Sequence, residues 1–241
     1  MKFKVILKYL FFGLFLIGLG FLYGFSSSKN LKRKITKISI EFEDSKQSFL
    51  TFEMVNKLLI QKNDTLQNKA KSVIDLYKLE GQVSKNPYVE KATVFLTIGG
   101  ELKSKIKQRE PIARIISSDG GYYIDKQGVK VPISDNYSAR VVLVSGVNND
   151  EDLTKVLPLL QDIYKDEFLQ KEIVGIQKST NDEYKFSMRS GDYKIDFGKL
   201  SEEDIKFKKL KAFYNKAFED KAIQNYKMIN LKYHNQVVCT K

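Results

Sequence analysis

Residues Asn86–Gly128 read NPYVEKATVFLTIGGELKSKIKQREPIARIISSDGGYYIDKQG, a hairpin joined through one proline to a second series of strands. Asn86-Pro87 disfavours helix and stops whatever helix precedes it. Tyr88 to Ile98 then reads as a strand, Gly99-Gly100 as a two-residue hairpin signal, and Glu101 to Gln108 as the return strand. In the return strand Leu102, Ser104 and Ile106 share one face, while Lys103, Lys105 and Lys107 share the other, the period of two that a half-buried strand requires. Pro111 ends this unit and opens a new series of short β-like pieces.

Outward from that hairpin, the preceding residues complete a small domain. Ile35 to Phe42 alternates Ile38, Ile40 and Phe42 with polar residues and reads as a strand. Thr51 or Ser48 is placed to cap a helix running through Gln61, with Phe52, Val55, Leu58 and Leu59 on one stripe. Asn63 to Lys71 is polar and loop-like. Val73 to Lys85 reads as a second helix with Ile74, Leu76, Tyr77, Leu79 and Val83 mostly inward. The order β-α-α-β-β over residues 35–109 is a complete small α+β domain by size.

Residues 110–241 read as a second, β-rich domain. Strands are expected at Ile112–Ser117, Tyr122–Asp125, Val129–Pro132, Arg140–Ser145, Ile173–Lys178, Tyr184–Arg189, Tyr193–Phe197, Tyr226–Tyr233 and Gln236–Thr240. A helix is expected over Asp150–Phe168, kinked or split at Pro158. Ser201–Phe218 reads as a strong helix, its S-E-E-D start suited to capping and to the helix dipole.

The N-terminus is different in kind. Tyr9 to Phe25 carries no charge, and with Lys8 snorkelling to the headgroups Val5 to Phe25 is long enough to cross a bilayer at about 1.5 Å per residue. The rival reading, a cleaved signal peptide, has only the poor small-x-small site Gly24-Phe25-Ser26. Residues 1–28 are therefore expected to be a cytoplasmic stub and transmembrane anchor, and 29–34 a basic tether. Residues 1–34 hold seven cations and no acid, which leaves +5 of the total +12 for everything else. That asymmetry suits a membrane headgroup layer better than nucleic acid. Both flanks of the span are basic, so charge leaves its orientation open.

Chemistry-bearing constellations are sparse. His234 is the one histidine and Cys239 the one cysteine, so a metal cluster or a histidine triad lacks partners. Neither Gly-Gly pair is a phosphate loop. Asp125, Asp192 and Asp196 stand near strand ends, where turn roles compete with an acid/base pair for a membrane-anchored enzyme. No enzyme activity, cofactor, metal, small-molecule substrate or nucleic acid is expected.

The single span, the β-α-α-β-β module and four motifs together resemble the FtsQ family of bacterial cell division, called DivIB in Gram-positive bacteria. The motifs are N-P-x-V-x-x-A-x-V (Asn86, Pro87, Val89, Ala92, Val94), Leu102 with R-x-P-I-A (Arg109, Pro111, Ile112, Ala113), Y-x-I-D-x-x-G-V (Ile124, Asp125, Gly128), and Val142 to Gly146. A tail at Asn230 to Tyr233 also fits. The resemblance implies a POTRA domain at 35–109 and a β domain at 110–241. It also implies a single-pass protein of the cytoplasmic (inner) membrane, N-terminus inside, main body periplasmic or extracytoplasmic, at the division septum.

It further implies a non-enzymatic divisome scaffold that links early and late division proteins and binds FtsB- and FtsL-like small bitopic coiled-coil partners. Other division-site membrane proteins are further partners, and membrane lipid is met through the N-terminal helix. By position, the family's partner edge falls on Leu231, Lys232 and Tyr233, then Gln236, Val237 and Val238. A C-terminal strand with a free edge accepts another strand through main-chain hydrogen bonds. Tyr233 would serve as an amphipathic anchor, and Lys232 would pair with an acidic partner residue. Arg109 and Pro111 are expected to form the domain hinge. The alternative is a membrane-anchored POTRA chaperone for outer-membrane or secreted β proteins, although such modules usually occur in tandem before a barrel.

Overall fold

A computed structural model describes residues 2–43, 49–60, 70–117, 120–220 and 223–241. Ser48 and Gln61, candidate ends of the first domain helix, lie outside these residues. The fold is the α+β arrangement read from the sequence, an apolar N-terminal helix followed by a small three-stranded α+β unit and a β-rich unit.

Helix α1 spans Lys2–Leu31, and its stretch Ile6–Leu31 is long and apolar enough to cross a membrane. The helix continues through Ser26–Leu31 rather than loosening into a tether, because no Gly or Pro interrupts that stretch.

The described residues divide into two compact units, 2–43 with 50–60 and 70–108, and 49 with 109–117, 120–220 and 223–241. In the first, β1 (Lys37–Phe42), β3 (Glu101–Gln108) and β2 (Val89–Leu96) form a sheet in that order. Strand β1 runs parallel to central β3, and β2 runs antiparallel to it. The expected faces of β3 hold: Leu102, Ser104 and Ile106 are buried. Helices α2 (Phe52–Leu59) and α3 (Leu76–Ser84) are capped by the side chains of Thr51 and Asp75, which accept from the amides of Met54 and Lys78. They bring Val55, Leu59, Leu79 and Val83 to the core. Helix α3 starts three residues later than expected, after a 3₁₀ turn at Lys71–Val73, since Asp75 is the better cap. Tyr77, expected inward, is 87% exposed on α3. The hairpin return is longer than two residues: the Thr97 amide donates to the Glu101 carbonyl at 2.9 Å, so Thr97–Gly100 forms the loop.

The second unit is one nine-stranded mixed sheet. Its order is β12-β11-β10-β9-β8-β7-β4-β5-β6. The strands are β4 (Pro111–Ile115), β5 (Tyr122–Asp125), β6 (Lys130–Val131), β7 (Val142–Ser145), β8 (Ile173–Lys178), β9 (Tyr184–Met188), β10 (Lys194–Gly198), β11 (Met228–Asn230) and β12 (Val238–Thr240). Three pairs are parallel, β4–β7, β7–β8 and β10–β11, and the other five are antiparallel. Helix α4 (Asp150–Lys165) keeps Pro158 inside it, and α5 (Glu167–Glu172) follows separately, restarted by the Asp166 side chain. The break thus falls at Asp166 rather than at Pro158. The core joins Val144, Val156, Leu160, Ile176, Phe186, Ile195, Phe197, Leu210 and Ile229.

Arg109 and Pro111 both belong to this second unit. The Arg109 guanidinium bonds the buried Asp125 carboxylate at 2.7 Å, whose other oxygen accepts from the amides of Gln127 (2.9 Å) and Val129 (2.8 Å). Asp125 is therefore a turn organiser with its acceptors engaged. Pro111 is buried as the first residue of β4 and lies opposite Asp125.

Candidate partner-binding edge

Helix α6 (Glu203–Glu219) carries the chain from β10 to β11, and β11 to β12 forms the end of the sheet. Its start differs from the expected capping motif. Glu202 takes the cap position in a left-handed conformation (φ 53°) with no side-chain capping bond, and Glu203 and Asp204 in the first turn supply the favourable charge instead. Phe207, Leu210, Tyr214 and Ala217 face the core. Ile205 is 39% exposed. The Tyr214 hydroxyl bonds those of Tyr193 and Ser190, and burial, the main cause, raises its pKa. Lys206 is also buried, its ammonium donating to the Lys199 carbonyl at 2.7 Å and lying 4.7 Å over the Phe197 ring. Burial lowers its pKa.

Strand β11 is three residues long rather than the expected eight. It ends because the Asn230 side chain turns back to accept from the Lys232 amide at 2.9 Å, an alternative to further strand pairing. Lys209 on α6 then clamps the departing backbone, its ammonium donating to the carbonyls of Leu231 and Tyr233. Strand β12 pairs with β11 in the register Val238↔Asn230, Cys239↔Ile229 and Thr240↔Met228. Among the described residues β12 is an edge, paired in the sheet with β11 alone.

The sequence-chosen residues separate into three groups. Leu231 is wholly buried in the core and its amide donates to the Asp196 carbonyl, so its side chain offers nothing to a partner. Lys232 is engaged within the chain, 3.0 Å from Glu183 and 3.1 Å from Asp196, which raises its pKa. Its expected pairing with a partner's acid therefore meets an occupied cation. Gly198 makes room for it: at φ +74°, a Cβ there would lie 2.8 Å from the Lys232 stem. Tyr233 (51% exposed), Gln236 and Val238 are open to solvent, and Val237 is half-buried. Tyr233, Gln236 and Val237 lie in the loop before β12 rather than in strands.

Beside that loop is a groove of about 410 Å³, lined by Phe213, Ala217, Tyr226 and Val237 with Lys209 and Lys216 at hand. Sequence reading missed the groove and the Lys209 clamp. The clamp links positions 22 and 24 residues apart, which no local spacing reveals.

The family model described as FtsQ/DivIB, C-terminal related, matches residues 110–240. The chain belongs to the FtsQ/DivIB family. The POTRA-like domain model matches residues 33–107 of the same chain. No curated protein matches it. This FtsQ/DivIB-family chain therefore carries the domains of a division-related membrane scaffold, and its apolar α1 fits a single-pass anchor.

Proposed function

We propose that this protein is a non-enzymatic divisome scaffold that captures an FtsB- or FtsL-like small bitopic coiled-coil protein by strand addition at β12 during septum formation. The observation that carries the reading is the free outer edge of β12, with Tyr233, Gln236 and Val238 exposed around it. A partner strand laid along β12 would gain main-chain bonds there, and the adjoining groove would receive an apolar side chain. Tyr233 supplies a rigid amphipathic contact. Family membership supports the rest of the assignment: N-terminus in the cytoplasm, main body outside it, residence at the septum, and a link between early and late division proteins. The domain ranges 35–109 and 110–241 go with it, as does a hinge at Arg109 and Pro111, a reading supported by the division of the two units between Gln108 and Arg109.

The test is recovery of partners on the full chain from solubilised native membranes, with Tyr233→Glu alongside. Recovery of small coiled-coil division proteins by the wild type and loss with the variant is expected. Equal recovery by both would move the site away from Tyr233, and recovery by neither would sink partner capture. For the hinge, Pro111→Ala is expected to alter the small-angle scattering profile; an unchanged profile counts against it.

A further inference from the structure

We propose that the end of α1 and the β2–β3 hairpin together form an interfacial site for the phosphate of an anionic phospholipid headgroup. The relevant leaflet is the one facing the folded units. Between Lys8 and Lys29 the helix carries no charge from Tyr9 to Ser28, about 30 Å at 1.5 Å per residue, the thickness of the hydrocarbon layer. Lys29 therefore stands at headgroup level. A cavity of about 910 Å³ opens there, lined from α1 and its end by Tyr23, Lys29, Lys32 and Arg33, and from the domain by Lys71 and Ile98. Its described lining holds four cations and no acid.

The domain side of the cavity is tied to the helix end. The Arg33 guanidinium donates to the Ile98 carbonyl, the Lys71 amide donates to the Arg33 carbonyl at 2.8 Å, and the Thr36 amide donates to the Gly100 carbonyl at 2.9 Å. Gly100 has φ +88°, and a Cβ there would lie 2.7 Å from the Lys34 carbonyl oxygen, so the hairpin and the chain leaving α1 are in close backbone contact. These ties hold Ile98 beside the Tyr23–Arg33 stretch. Its side chain is 88% exposed at a hairpin tip, an unfavourable place for isoleucine in water and a favourable one in the acyl–headgroup boundary. Cations that flank a buried apolar contact are the arrangement that retains an anionic lipid rather than a free anion. The inference does not depend on partner capture at β12.

The test uses the full chain in nanodiscs, with Cys239→Ser as background and a fluorophore on Ile98→Cys or, as control, on Tyr77→Cys. Nitroxide at the lipid headgroup is expected to quench the label at 98 severalfold more than the label at 77. Association of spin-labelled phosphatidylglycerol is expected to exceed that of phosphatidylcholine, to fall about fivefold in Lys71→Gln, and to return in Lys71→Arg. Both positions are partly or fully exposed, and unchanged melting of the variants certifies the fold. Equal quenching at 98 and 77 overturns the proposal, as does lipid association indifferent to headgroup charge or to Lys71→Gln. Displacement of phosphatidylglycerol by inorganic phosphate would overturn the lipid as ligand and leave a free-anion site.

Discussion

Strands β2 and β12 are both sheet edges, and they are finished in opposite ways. On β2 the Val94 amide, facing away from β3, donates to the Glu80 carboxylate of α3 at 2.9 Å. The Lys107 ammonium meets Glu90 on the same strand at 3.0 Å. An edge whose amide is already held by a carboxylate has less to offer an added strand. β12 has exposed Val238 and Thr240, and among the described residues its only partner strand is β11. The difference favours the second unit's end as the place where a partner strand is added, and weighs against β2 as the strand-capturing edge of the chaperone alternative.

The largest expected effect asks whether the β12 end is built on a real core. Leu231→Ala should cost about 2–5 kcal/mol in urea unfolding, because it empties a fully buried site. A loss below about 0.5 kcal/mol would mean Leu231 is a surface contact after all. Next, Glu80→Ala should release the Val94 amide and cost about 1–2 kcal/mol. If the Glu80 cap is what closes β2, the variant should also bind added β peptides that the wild type ignores. Peptide binding unchanged in titration calorimetry would remove the contrast between the two edges.

A smaller effect concerns the ion pairs behind β12. Lys232→Gln should cost about 0.5 kcal/mol, since Glu183 and Asp196 hold the ammonium where it remains a third exposed to solvent. Because those partners raise the folded-state pKa above 10.5, the wild-type advantage should be fully present below that pH. It should fade as pH rises through the folded value. An advantage independent of pH would assign Lys232 a packing role beside Gly198 instead. Smallest of all on stability, Tyr233→Ala should shift unfolding by less than about 0.5 kcal/mol while weakening partner recovery. A large shift would mark Tyr233 as structural.

The first domain was legible because its strands alternate cleanly: Leu102, Ser104 and Ile106 announce a buried face without any tertiary information. The C-terminal end was less so. Leu231 continues the apolar pattern of Ile229 and still bonds Asp196, yet the Asn230 side chain, bonded to the Lys232 amide, turns the backbone away just after it, and a turn made by a side chain does not alter hydrophobic periodicity. Tyr77 failed in a related way, since an aromatic at helical spacing reads as core whether or not anything covers it. Lys232 was chosen as a free cation because its acids, Glu183 and Asp196, lie 49 and 36 positions away and meet it only through the β9–β10–β11 stacking order. The residues chosen from the family motifs fall at the β11–β12 end of the sheet, while the division between core and surface there needed the structure.

The most direct measurement is amide hydrogen exchange on the full chain, alone and with its captured coiled-coil partner. Strand addition predicts new protection concentrated at Gln236–Thr240, with β2 unchanged. Protection at Val89–Leu96 instead, or a bound partner that leaves Val238–Thr240 exchanging as in the free chain, would contradict it.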